Sequence, residues 1–127
     1  MPSRDPFQYA VVRVVPRVER GECVNAGVLL FCRARRFLAA RVALDERRVL
    51  ALAPDTDLAA VRDQLDAVGR VAAGDPAAGP MGRLPPSERF HWLAAPSSTV
   101  VQCSPVHTGL TDDPAGELER LVERLVA

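Results

Sequence analysis

The stretch Arg13-Val-Val-Pro16-Arg-Val-Glu-Arg20-Gly21-Glu22-Cys-Val-Asn25-Ala-Gly27-Val-Leu-Leu-Phe-Cys32 threads charged and amide side chains into segments otherwise written for burial. Any of Arg13, Glu22 and Asn25 that faces inward needs hydrogen bonds or a counter-charge, since an unsatisfied buried polar group costs about 1–3 kcal/mol. Arg13, Arg20, Glu22 and Asn25 suit a charge-assisted network in which the carboxylate holds a guanidinium and the amide bonds free backbone groups at a strand entrance. Such a network either specifies a turn or binds a small ligand, and the balance favours the turn. A second constellation is Ser104-Pro-Val-His107-Thr108-Gly109. An imidazole between a strand end and a helix start can reach solvent and titrate near neutrality, which makes His107 the best single candidate for chemistry. Against that, no acidic orienter can be assigned beyond Glu22 or Asp112, a lone His beside Ser104 and Thr108 more commonly fastens a turn, and Ser104 lacks the Gly-x-Ser-x-Gly elbow of a nucleophile. The expectation is one polar cluster at one end of a sheet, made of Arg13, Arg20, Glu22, Asn25, Gln102, Ser104, His107 and Thr108, with no catalytic residue assigned. Arg13→Ala and Asn25→Ala are expected to do more damage than changes at Arg33 or Arg35.

Other chemistries fail on inventory. His91 and His107 are the only histidines and belong to no close-spaced ligand set, and no Cys-x-x-Cys pair exists, so no metal or cofactor is expected. Gly21, Gly27, Gly79 and Gly82 reproduce no phosphate-cradling loop. The odd thiols Cys23, Cys32 and Cys103 read as small packed hydrophobes. Sixteen basic and sixteen acidic residues cancel, which argues against nucleic acid or an anionic membrane as a partner. All sixteen basic residues are arginine and isoleucine is missing, a signature of GC-rich coding that discounts the arginine count. Without an apolar export core or a run near the roughly 20 residues a membrane helix needs, the chain is expected to be cytoplasmic.

Positioning these residues falls to a small set of elements. Tyr9–Val15 reads as a strand apolar on both faces except at Arg13, which predicts cover on each side or a subunit interface, a homodimer included. Val24–Cys32 reads as a second strand, in which Gly27 marks a bulge or a close backbone approach. The charged connector Arg33-Ala-Arg35-Arg36 is expected to stay solvated and leads to a third strand, Phe37–Leu44. Asp45 caps a short helix stopped by Pro54, and Asp55-Thr-Asp57 caps a longer one with the stripe Leu58, Val61, Leu65 and Val68. The Gly/Pro-rich segment 74–86 is expected to be an irregular loop or lid. Ser87–Ala94 resumes as one or two helical turns anchored by Phe90 and Trp92, Thr99–Cys103 is a fourth strand, and Asp113-Pro114 opens a last helix along Leu118, Leu121, Val122 and Leu125. The sum is one α+β domain over 1–127, two-layered, with a mainly antiparallel sheet of about four strands and helices packed on one face.

In order along nearly the whole chain, Arg13-x-x-Pro16, Arg20-Gly21-Glu22-x-x-Asn25-x-Gly27, Arg89-Phe90-x-Trp92-Leu93 and Ser104-Pro-x-His107-x-Gly109-Leu110 resemble a bacterial family known as domain of unknown function 3037. Cys23 departs from the aromatic residue expected there, which affects a packing detail. The family has no assigned reaction. The resemblance implies a neighbour-encoded partner such as a HipA-like kinase, and so a protein-binding or regulatory module that uses Phe90 and Trp92 as partner contacts. The alternative is a small-molecule-binding or enzymatic domain using His107 with Arg13, Arg20 and Glu22.

Overall fold

The computed structural model describes residues 3–126. Five strands, β1 (Asp5–Val14), β2 (Val24–Cys32), β3 (Phe37–Val42), β4 (Val101–Cys103) and β5 (His107–Thr111), form one antiparallel sheet. Its order is β3-β2-β1, and the outer side of β1 is shared end to end by β4, opposite Val12–Val14, and β5, opposite Asp5–Tyr9. Among the described residues four α-helices accompany the sheet: α1 (Glu46–Leu52), α2 (Leu58–Ala72), α3 (Pro86–Ala94) and α4 (Pro114–Leu125). No helix among the described residues is long and apolar enough to cross a membrane.

The α+β reading holds, with two corrections. The sheet has a fifth strand, since His107–Thr111, expected as a turn, lies extended along β1. The helices also cover both faces. Leu29 and Phe31 of β2 pack with Val49 of α1, Val61 and Leu65 of α2 and Phe90 of α3, whereas Val28, Leu30 and Cys32 pack with Leu118 and Leu121 of α4. Successive strand residues point to opposite faces, so a strand that is apolar at every position needs a helix on each side. The doubly apolar first strand is thus explained within one chain: β1 and β2 are the inner strands of three layers.

The helix starts follow their capping residues. Asp45, Asp57 and Asp113 each accept from a backbone N–H of the first turn, at 3.2, 3.1 and 3.1 Å, satisfying donors that a helix leaves open. The segment after α2 is more regular than its composition suggests. Two 3₁₀ turns follow: Pro76–Ala78, capped by the Asp75 carboxylate on Ala77 N–H, and Pro80–Arg83, which starts at Gly79 without a side-chain cap, and Arg89 of α3 donates to Leu84 C=O at 2.7 Å. Proline fixes a backbone angle that 3₁₀ geometry accepts, so its density here shortens helices and does not abolish them.

Gly27 meets both expectations placed on it. Val12 lies opposite Gly27 but Arg13 opposite Asn25, so β2 carries one extra residue, Ala26, at a bulge. A Cβ on Gly27 would come within 2.5 Å of the Arg41 carbonyl oxygen of β3. The bulge inverts the side-chain alternation: Val24 and Ala26 join Leu29 and Phe31 in the α1–α3 core, and Asn25 turns to the α4 face.

Candidate functional site

Asn25, delivered to the α4 face by the bulge, donates from Nδ2 to the Leu125 carbonyl at 3.0 Å and so satisfies an open acceptor at the end of α4. Arg13 sits between Asn25 on β2 and Gln102 on β4, and directly opposed residues share a face. The Arg13 Nε is buried with no hydrogen-bond partner among the described residues. Gln102 donates to its neighbour Thr99 C=O at 2.6 Å. On the other face, burial pushes the Cys103 thiol up to about 11, with the Arg13 charge pulling the opposite way. Cys32 is buried like a small hydrophobe, whereas Cys23 is exposed and does not pack.

Ser104 occupies the joint between β4 and β5 and is 2 % exposed. Its N–H donates to Val11 C=O at 2.8 Å, while its Oγ accepts from Val11 N–H at 2.8 Å and donates to Pro105 C=O at 2.9 Å. Both backbone groups of Val11 are thereby paired where the outer strand is broken. The serine hydroxyl is committed to the ladder and is not free to attack a substrate.

His107 and Thr108 are exposed on β5, opposite Tyr9 and Gln8. The His107 ring centroid lies 5.2 Å from that of Tyr9, and no hydrogen bond to a described residue orients the imidazole. Arg20 and Glu22 pair with each other in the exposed β1–β2 connection, and the hydrogen bond and charge of Arg20 hold the Glu22 carboxyl below its ordinary range.

The expected single cluster is therefore divided. Arg13, Asn25 and Gln102 form one cross-strand row, Ser104 closes the ladder, Arg20 and Glu22 form a loop pair, and His107 with Thr108 lies along the other half of β1. Tyr9 and Arg13, which mark the positions of His107 and Asn25, are four residues apart, roughly 13 Å along an extended strand. The chain order of the motifs carried no sign that β4 and β5 share β1 end to end, and that arrangement is what separates them.

Arg35 departs from the solvated hairpin end expected of it. Its guanidinium binds the Asp5 carboxylate at 2.8 Å, Asp112 C=O at 2.8 Å and Ser3 C=O at 2.9 Å, tying the start of β1 to the junction of β5 and α4. Phe90 is placed differently as well. It is 4 % exposed and stacks on Phe31 with ring centroids 5.3 Å apart, so it belongs to the core and reaches the surface only as a lining residue of the hollow beside Trp92.

Trp92 is left as the surface candidate of that segment, 51 % exposed on α3. It stands between two hollows that share Met81, Trp92 and Ala95. One, of about 530 Å³, includes Val68, Val71, Leu93 and Val101; the other, of about 570 Å³, includes Phe31, Arg33 and Leu84. The second continues into a third hollow of about 430 Å³ through Gln8, Phe31 and Arg33. The result is a mostly apolar groove along α3 and the uncovered part of the sheet. Met81 comes from the Gly/Pro-rich segment expected to be an irregular loop, and its 3₁₀ turn sets that segment beside the indole.

No curated protein and no solved structure matches the chain significantly. The sequence model of the family described as protein of unknown function (DUF3037) matches residues 9–126, nearly the whole length, and the chain belongs to that family.

Proposed function

We propose that this chain is a protein-binding module, of regulatory character, that engages its partner through the face centred on Trp92. The observation that carries this reading is the half-exposed indole between two apolar hollows that both include Met81. Large aromatic side chains beside adaptable methionine, set in a groove of this kind, supply most of the binding free energy at interfaces. Phe90 supports the arrangement from below by fixing α3 to Phe31, so the indole is held on a rigid helix. The resemblance stated above nominates a neighbour-encoded HipA-like kinase as the partner. The competing enzymatic reading requires Arg13, Arg20, Glu22 and His107 to converge, and these lie in three separate places.

Co-expression with the neighbour-encoded HipA-like protein, followed by affinity capture, tests this. Trp92→Ala should weaken the complex by about tenfold or more, the loss typical of a hot-spot aromatic, while leaving the melting temperature nearly unchanged. His107→Ala should retain the complex. Retention by Trp92→Ala with loss by His107→Ala would reverse the assignment. If no partner is captured and an anionic metabolite raises the melting temperature only when His107 is present, the small-molecule reading replaces it.

A further inference from the structure

The sheet has two open edges, and they are finished differently. β3 carries Arg41, paired with Glu119 of α4, and its entrance is flanked by Arg35 and Arg36. Charged side chains of this sort keep an edge from recruiting another strand. β5 pairs with β1 on one side and, among the described residues, with nothing on the other. It carries no arginine, aspartate or glutamate, and its Leu110 is 60 % exposed.

The register fixes which backbone groups this edge offers. Val11 directs its N–H and C=O at Ser104, and directions alternate along a strand, so Tyr9 and Phe7 address His107 and Gly109 while Gln8 and Pro6 face β2. Thr108 and Leu110, opposite Gln8 and Pro6, therefore turn their own N–H and C=O groups outward. Their side chains share the face of Gln8, beside the 430 Å³ hollow lined by Gln8, Phe31, Arg33 and Thr108. Among the described residues no carboxylate lines that hollow, and the acidic residue of the groove, Glu88, lines the adjoining one. The Arg33 guanidinium carbon lies 5.7 Å from the Phe31 ring centroid, a cation–π contact that orients the fork, and Arg33 forms no salt bridge among the described residues.

We infer that the outer edge of β5 accepts an extended, acidic segment of a partner protein as an added strand, with a carboxylate side chain reaching over Thr108 to Arg33. This rests on the reading of the Trp92 face as a protein-binding surface, and it gives the partner segment a conformation and a charge. Backbone pairing supplies affinity in such additions, and alternate side chains entering the adjoining groove supply selectivity. An arginine without a salt bridge among the described residues favours an acidic segment over a neutral one or a second copy of this chain.

Two fluorescent peptides of alternating threonine and valine, about eight residues long as in an ordinary strand, one with a central pair of glutamates and one with a central pair of arginines, are titrated against the full chain. The acidic peptide should bind at least about tenfold more tightly, and Arg33→Glu should abolish that preference. Leu110→Pro should weaken the acidic peptide by about tenfold or more without changing the circular dichroism spectrum, because proline is tolerated where the N–H faces outward on an edge. Absent or equal binding of the two peptides, or full binding by Leu110→Pro, overturns the inference, as does a dimer in gel filtration that Leu110→Pro converts to monomer. In the partner capture experiment, loss with Trp92→Ala but retention with Arg33→Glu and Leu110→Pro would uphold the Trp92 surface and reject the added strand.

Discussion

Ser104, Asn25 and Arg35 do structural work through single polar groups that each satisfy a backbone atom far away in the chain. Ser104 supplies Val11 with an acceptor where β4 ends and β5 has not begun, Asn25 satisfies the last turn of α4, and Arg35 binds two carbonyls and a carboxylate. The loss on removing such a group is set by what it leaves unpaired. Ser104→Ala orphans the Val11 N–H in a site closed to solvent and should cost about 2 kcal/mol in urea unfolding. A loss below about 0.5 kcal/mol, the ordinary scatter of surface substitutions, would mean that the ladder closes without the hydroxyl. Arg35→Ala should rank with Asn25→Ala, contrary to what its place in a charged connector suggests, whereas Arg33→Ala removes only a contact with an aromatic ring and should leave stability nearly unchanged.

At the scale of elements, the β2–β3 hairpin and the β2 bulge set the sheet. The hairpin turns through Arg33–Arg36, closed by Arg36 N–H on Arg33 C=O at 3.1 Å, and Arg36 takes a φ of 50°. That left-handed conformation strains a residue with a Cβ and suits glycine. Arg36→Gly should therefore raise stability by about 0.5 to 1 kcal/mol, even though it removes a charged side chain. Differential scanning calorimetry at matched ionic strength reads the change, and a lower melting temperature would show that the arginine contributes more than its backbone costs. The bulge exerts its effect through parity: one inserted residue, Ala26, sends Asn25 to α4 and keeps Val24 in the main core.

At the scale of the molecule, two apolar clusters lie on opposite faces of the same pair of strands. Neither face of β1 or β2 can be exposed without uncovering residues that are buried from end to end of β2, such as Val28, Leu29 and Leu30. The layers should therefore unfold together. Leu65→Ala in α2 and Leu121→Ala in α4 each remove a buried leucine and should each cost about 3 kcal/mol. Both should move one common transition, seen equally by far-ultraviolet circular dichroism and by Trp92 fluorescence. Separate transitions in the Leu121→Ala variant would show α4 to be an independently melting layer.

The amino-acid order by itself determined those features that depend on neighbours in sequence. The aspartates before α1, α2 and α4 announced helix starts because a cap is a contact over two or three residues. The alternating and continuous apolar runs announced β1, β2 and β3 because strand periodicity is local, and Gly27 announced a bulge because only a missing side chain tolerates that approach. The tertiary structure alone decided the rest. His107–Thr111 is short, contains a glycine and has little apolar pattern of its own, so it became a strand only by pairing with β1. The stripe of α4 showed that it docks but not on which face, since either side of a doubly apolar sheet would bury it equally well. The polar residues expected in one cluster were dispersed for the same reason: each of them needed a partner, and partners distant in sequence are assigned by strand register, which no single segment encodes.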